Sequence, residues 1–388
     1  MIIQQSLHDQ KQSGFTMVEL LITMGIFVLA IATISGVFVP LISQFKQQSR
    51  VAETQIESIV GLDILRRDIN AAGYGLLWAF PAGVTITYQE AAAPASTYND
   101  APTGIPRGIL SGNNITATGI LTGTDYLVIK ATNIAPNDAA PKWTDVLVRS
   151  GGTKSVRSWG SSVEDLNTDD RVIVLNPHNR IISIGGTGFT AQFNLDDFPD
   201  AYLTTPNVTY IIYGIDTPGA ALRMPFNRAD YFIYTIGVPV RCEPHTGVLT
   251  KAIVSQADGT LTSGATPLLD CVADMQVDYW LDTDADGNIN WPPLDNISGL
   301  NAKQIRDQLK EVRVYIVAHE GQQEPNFDFS QNNTREYLTA LESLGTNSRT
   351  LTFTNLKTLI GDPAYKQYRW KLYTIIAKPR NLKIEATQ

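Results

Sequence analysis

From Leu20 to Phe45 the chain carries no charged side chain. As a helix that run is about 39 Å long at 1.5 Å per residue, enough to cross a hydrocarbon core of roughly 30 Å. One carboxylate, Glu19, stands at its start. A lone acid in lipid is costly, so it marks a functional position and asks for a partner.

Two plain explanations compete for this segment. An ordinary secretory signal would use Met1 to Lys11 as its basic region and Ala30-Ile31-Ala32 as its cleavage site. Against it, the apolar run continues to Phe45 and an acid sits at its head. A simple membrane anchor would leave Gly14 and Glu19 incidental. Charge does not orient the span: Asp9 opposes Lys11 before it, while Lys46 and Arg50 follow it.

The segment Ser13-Gly14-Phe15-Thr16-Met17-Val18-Glu19-Leu20 resembles the processing site of type IV prepilins, the class III signal. The resemblance implies a leader, residues 1–14, that a prepilin peptidase removes after Gly14 on the cytoplasmic side. It implies methylation of the new Phe15 amine and retention of the apolar helix. It also implies that Glu19 pairs with the terminal amine of a neighbouring subunit. The N-terminus would then lie in the cytoplasm and the bulk in the bacterial periplasm. The chain would wait in the inner membrane and pass into a fibre at the cell surface.

The 388 residues are too many for one helix and a small sheet. The fold expected is α+β and type IV pilin-like. A long helix over 15–72, transmembrane over 15–45 and amphipathic beyond, packs on a β-rich domain over 73–388, with two sub-lobes anticipated. Pro40 is a candidate kink. Past Gln44, Ile56, Ile59, Leu62, Leu65 and Ile69 recur at spacings of three and four. Glu53, Glu57, Asp63, Arg66 and Arg67 line the other side, the two arginines suiting the end of the helix dipole. Gly73-Tyr74-Gly75 offers a left-handed exit.

The remainder is rich in Tyr, Thr, Ile and Val, with 29 Gly and 20 Pro, as a turn-rich β domain requires. Strands are expected at 84–88, 125–130, 146–149, 171–175, 180–184, 208–215, 231–238, 311–317 and 370–378, and a short helix at 301–310. Residues 90–108, rich in Ala, Pro and Thr, read as an exposed loop. The glycine-rich stretch 183–188 lacks the Lys-Ser/Thr of a phosphate loop and reads as a turn. Cys242 and Cys271 are the two cysteines, and an exported pair invites a disulfide; two unpaired buried thiols are the other reading.

The stretch Asp282-Thr283-Asp284-Ala285-Asp286-Gly287-Asn288-Ile289-Asn290 matches the opening of an EF-hand calcium loop, with acids at one, three and five and glycine at six. Asp282, Asp284 and Asp286 would give side-chain oxygens, Asn288 a carbonyl, and Asn290 a side-chain or water contact. Position twelve is Pro293 where the motif uses glutamate, with Asp295 as a substitute. A solvated acidic hairpin tip is the alternative, since Asp-Gly is good turn chemistry.

Net charge is −8 with no basic block, so nucleic acid is not an implied partner. His8, His178, His245 and His319 form no i, i+4 ligand pair, and no nucleophile elbow occurs. No enzyme is implied.

Several blocks resemble the PilW-like minor pilins: Arg66 to Tyr74, Gly123-Thr124-Asp125, Asp169-Asp170-Arg171, Leu269 to Tyr279, and Arg369 to Ile376 with Arg380-Asn381. The resemblance implies a non-enzymatic subunit that primes type IV pilus growth and stays at the tip. Its partners would be other minor pilins, the major pilin and the inner-membrane assembly platform. A J-like pseudopilin of type II secretion and a tip adhesin using the inserted loops are the alternatives.

Overall fold

The computed structural model describes residues 14–186, 188–219, 221–261, 265–325, 327–329, 357, 360 and 364–382. Residues 1–13, which hold most of the leader expected over 1–14, lie outside them. The chain divides into two compact units, Met1–Glu53 and Thr54–Gln388. Helix α1, Met17–Ala71, begins in the first and ends in the second. Its helical assignment continues through Pro40.

The second unit is built on two antiparallel sheets. Strands β1 (Ile109–Ile115), β2 (Thr124–Ala131), β3 (Trp143–Val148), β4 (Lys154–Val156), β5 (Arg171–Leu175), β6 (Ala191–Gln192), β7 (Thr209–Asp216), β8 (Asn227–Tyr234), β9 (Gly247–Ile253) and β10 (Thr266–Leu281) come first. Helix α2 (Ala302–Gln308) then leads into β11 (Leu309–Glu320), and β12 (Arg369–Ala377) closes the order. The larger sheet runs β1-β2-β8-β9-β10-β11-β12 and the smaller β4-β3-β7-β5-β6. The fold is therefore α+β, a long N-terminal helix followed by a large β-rich body.

The end of α1 packs on the larger sheet. Leu65, Ile69 and Ala72 are fully buried with Leu127, Ile129, Tyr231, Leu249 and Met275. The buried face is rotated from the one expected. Ile59 is 68% exposed, whereas Ser58 is buried. The reason is a close crossing at Gly61, where an added Cβ would stand 1.7 Å from the Leu268 carbonyl oxygen. Ile59 lies about 200° round the helix from Gly61, on the far side. The side chains of Glu53, Ile56 and Glu57 lie outside the described set. Asp63, Arg66 and Arg67 are exposed, as expected. The last turn of α1 holds no basic residue, and Arg67 pairs instead with Asp63 at 3.0 Å.

The helix exit is fixed to β2. Gly73 and Gly75 have φ of +82° and +66°. Gly73 N–H donates to the Lys130 carbonyl at 3.0 Å, and Thr132 N–H donates to the Tyr74 carbonyl at 2.9 Å. A Cβ on Gly75 would meet Thr132 Oγ1 at 2.4 Å, so glycine is required there for approach as well as for φ.

Three local expectations fail. Residues 84–88 form no strand; Ile86 and Tyr88 instead drop into a core with Ile173 and Phe226. Residues 180–184 make only isolated bridges, Ile181 to Ala79 and Ile182 to Leu175. Strand β8 starts at Asn227 and stops at Tyr234, short of Gly237 with its φ of +76°.

The fourth correction is the largest. Residues 90–108 are a plug rather than a free loop. Glu90 is buried, and its Oε2 lies 2.6 Å from Lys130 Nζ and 3.3 Å from Arg228 Nη1. Glu90 Oε1 accepts from the Asp100 and Ala101 amides. Asp100 adds a second contact to Lys130 at 2.7 Å and binds Arg107 at 2.6 Å. A short 3-10 turn, Ala95–Tyr98, carries the Ala95 carbonyl that accepts from Arg228 Nη2.

Cys242 and Cys271 are bonded, with Cα atoms 4.9 Å apart, tying the β8–β9 connection to β10. Cys271 sits at a φ of +58° where the β9–β10 register shifts. His319 lies beside the bridge: the ligating atoms of these three residues fall within 4.8 Å of one another. Both sulfurs are consumed by the bond, so the trio is no metal site. Burial pushes His319 down to about 3, and its Nε2 accepts from the Glu243 amide at 3.0 Å.

Two measurements follow from this packing. Glu90→Ala strips a carboxylate from two buried cations and should cost roughly 3–5 kcal/mol in denaturant unfolding of the full chain in detergent. An unchanged unfolding midpoint would show the plug to be dispensable. Replacing both cysteines by alanine reopens a chain segment with sequence separation 29, and the expected loss is about 3–4 kcal/mol.

Candidate functional site

Gly14 and Phe15 lie exposed ahead of the first turn of α1. Thr16 caps that turn: Glu19 N–H donates to Thr16 Oγ1 at 3.2 Å. Glu19 reaches back, its Oε2 accepting from Thr16 N–H and Thr16 Oγ1, both at 2.9 Å. This is a capping box, in which two groups three apart satisfy each other's amides. The pattern Thr16-x-x-Glu19 before an apolar run signals it in sequence. The arrangement brings the Glu19 carboxylate to the backbone amide one residue after Phe15. Behind it, Met17–Phe38 is long and apolar enough to cross a membrane, and none of it is buried.

The acidic hairpin is the second candidate. It lies between β10 and α2, and the carboxylate oxygens of Asp282, Asp284 and Asp286 come within 4.8 Å of one another. Asp282 is buried while the other two are exposed. Lys310 on β11 meets Asp282 Oδ2 at 2.6 Å, and this hydrogen bond is the main influence holding that carboxyl below its usual range. Asp282 Oδ1 is buried and without a hydrogen-bond partner. Asn288 donates from backbone and side chain to Asp286. Asn290 Oδ1 accepts from Thr283, while its amide donates to Asp284 Oδ1 at 3.3 Å. Asp295 stands outside the trio and accepts from Asn113 at 2.8 Å. The three aspartates are thus gathered and held, with the asparagines orienting them.

Comparison with known proteins bears on the first of these sites. Residues 9–35 match the family described as the prokaryotic N-terminal methylation motif. No curated protein and no solved structure matches the chain. The motif covers Gly14, Phe15 and Glu19. It supports a type IV pilin- or pseudopilin-type protein, processed by a prepilin peptidase and assembled with pilin machinery. It points to a structural role, and the exposed apolar helix behind it is consistent with anchoring in an inner membrane.

Proposed function

We propose that the chain is a minor pilin of the PilW-like kind that primes assembly of a type IV pilus and is retained at its tip. The observation that carries this reading is the N-terminal methylation motif joined to an unburied apolar helical span with a large folded unit behind it. After cleavage behind Gly14, the methylated Phe15 amine of one subunit meets Glu19 of the next. Open-ended growth needs a head-to-tail interface, and a shared apolar helix supplies one. Residues 90–108 are tied to the core through Glu90.

The acidic hairpin is proposed as a weak calcium loop. Asp282, Asp284 and Asp286 would hold the ion, with the Asn288 carbonyl beside them. Its support is the convergence of three carboxylates and the buried Asp282 oxygen that lacks a partner. Calcium takes six to eight oxygens, and this loop has no glutamate at position twelve, so water must complete the shell. The affinity expected is that of extracellular modules, about 10⁻⁴–10⁻³ M.

The assembly reading is tested by counting surface pili in a strain lacking this chain while following secreted protein. Lost pili with normal secretion is the expected result. Normal pili with blocked secretion would make it a type II pseudopilin instead. For the hairpin, calcium titrated into the full chain in detergent should release or absorb heat and raise the melting temperature. Lys310→Met should tighten binding by freeing Asp282 Oδ2, and Asp284→Asn should abolish it. Absence of both heat and melting shift in the parent chain would rule the ion out.

A further inference from the structure

We propose that the cavity beside Trp78 binds a carboxylate-bearing sugar. The cavity, about 590 Å³, is lined by Trp78, Asp100, Arg107, Leu300, Lys303 and Arg306, with Ile105 beside them; Arg180 lies against Trp78 rather than in the lining. That volume falls within the range of small-ligand sites. Two guanidinium groups lie over the Trp78 ring, Arg306 at 4.8 Å and Arg180 at 5.4 Å from its centroid.

These two arginines differ from the other arginines stacked on aromatic rings. Arg157 on Trp159 has Asp145 at 3.5 Å. Arg313 on Trp280 has Glu311 at 2.6 Å. Arg369 on Phe327 has Glu324 at 2.8 Å. Among the described residues, neither Arg180 nor Arg306 has a carboxylate in ion-pair contact. Arg180 Nη1 is buried and without a hydrogen-bond partner. Asp100, the carboxylate in the lining, is already bound to Arg107 and Lys130, and Asp307 binds Lys303. Burial, and then the charge of Arg180, hold Arg306 below the ordinary arginine range, with Asp307 pulling the other way. Arg306 thus lines the cavity with no carboxylate in ion-pair contact among the described residues, and Arg180 stands over the same indole.

The arrangement is built rather than incidental. The Trp78 backbone N–H donates to the Arg180 carbonyl at 3.0 Å, which joins the two backbone segments. Arg180 is held at a φ of +48°, closing a turn on Asn176. Arg306 comes from α2, whose start is locked by a capping box between Asn301 and Gln304. The forked donors of arginine match the planar carboxylate. Ile105 and Leu300 offer apolar surface beside Arg306 that the C–H face of a pyranose ring covers. Inorganic phosphate would satisfy the arginines and leave that surface unused, so the uronate class is the better fit.

The inference stands apart from the assembly reading, which pilus counts test separately. The experiment titrates the full chain in detergent with sodium glucuronate, glucose and inorganic phosphate, followed by calorimetry. Glucuronate should bind, glucose should not, and phosphate should bind at least about tenfold more weakly. Arg306→Gln should weaken glucuronate about tenfold or more while leaving the melting temperature nearly unchanged, because no ion pair is lost. Arg306→Lys keeps charge and helix but loses the fork; it should weaken binding too, and it keeps the result readable if the glutamine variant fails to fold. No glucuronate heat, equal binding of phosphate, or full affinity in both variants that fold would overturn the proposal.

Discussion

The seating of the last turns of α1 on the larger sheet governs the rest of the second unit. Leu65 and Ile69 bury their whole side chains there, each contributing about 1.5–3 kcal/mol relative to exposure. Apolar contact alone sets no rotation or height. Those are fixed by Gly61, which lets the helix backbone approach Leu268, and by Asp68. Asp68 is a buried acid on the helix, and it accepts from Tyr231 Oη and from Lys251 Nζ. An acid left without these partners would carry a heavy desolvation cost, so only one placement of the helix leaves it paired. The exit at Gly73 then delivers the chain to the Lys130 carbonyl, and the body is laid out from that point.

Lys130 shows how one strand serves two layers. Along β2 successive side chains alternate between faces. Leu127, Ile129 and Ala131 meet the helix, while Tyr126, Val128 and Lys130 face away. The register pairs Lys130 with Arg228 on β8, and like charges placed opposite each other repel. Asp230 neutralises Arg228 at 2.7 Å, and Glu90 with Asp100 answers for Lys130. The plug at 90–108 is therefore demanded by a cross-strand pair of cations, of which Arg228 stands 138 residues along the chain from Glu90. It also completes an aromatic column in which Tyr98 stacks on Tyr126 at 4.8 Å and Tyr126 on Phe232 at 5.4 Å.

This explains what the sequence disclosed and what it hid. Features that depend on nearest neighbours were legible. The charge-free run, the Gly73 and Gly75 exit, the strand Arg171–Leu175 and the capped helix at 302–308 all follow from local pattern. Features set by distant partners were not. Ile59 fits the helical period of an apolar stripe and still faces outward, because Gly61 chose the crossing face. Glu90 sits in a loop of small residues, and nothing local announces that Lys130 and Arg228 wait for it. The 282–286 spacing showed the carboxylates but not Lys310, which reaches them from the next strand. Thr16 is the exception, a short-range signal present in the sequence and overshadowed by the longer motif around it.

The capping box gives Glu19 a state of its own before any partner arrives. A bare acid within lipid costs about 2.5–3.5 kcal/mol at a helix centre on insertion scales, less near an end. A cap returns roughly 0.5–2 kcal/mol. Both Thr16 bonds go to one oxygen, Oε2, and a carboxylate has room for several more donors. On the assembly reading the remaining deficit is what a neighbour's terminal amine relieves, and the relief is largest where water is absent. Self-capping then keeps the subunit tolerable in the bilayer without saturating the group that draws it into a fibre. On that reading a full set of internal partners for Glu19 would remove the drive, and among the described residues its carboxylate is bonded by Thr16 alone.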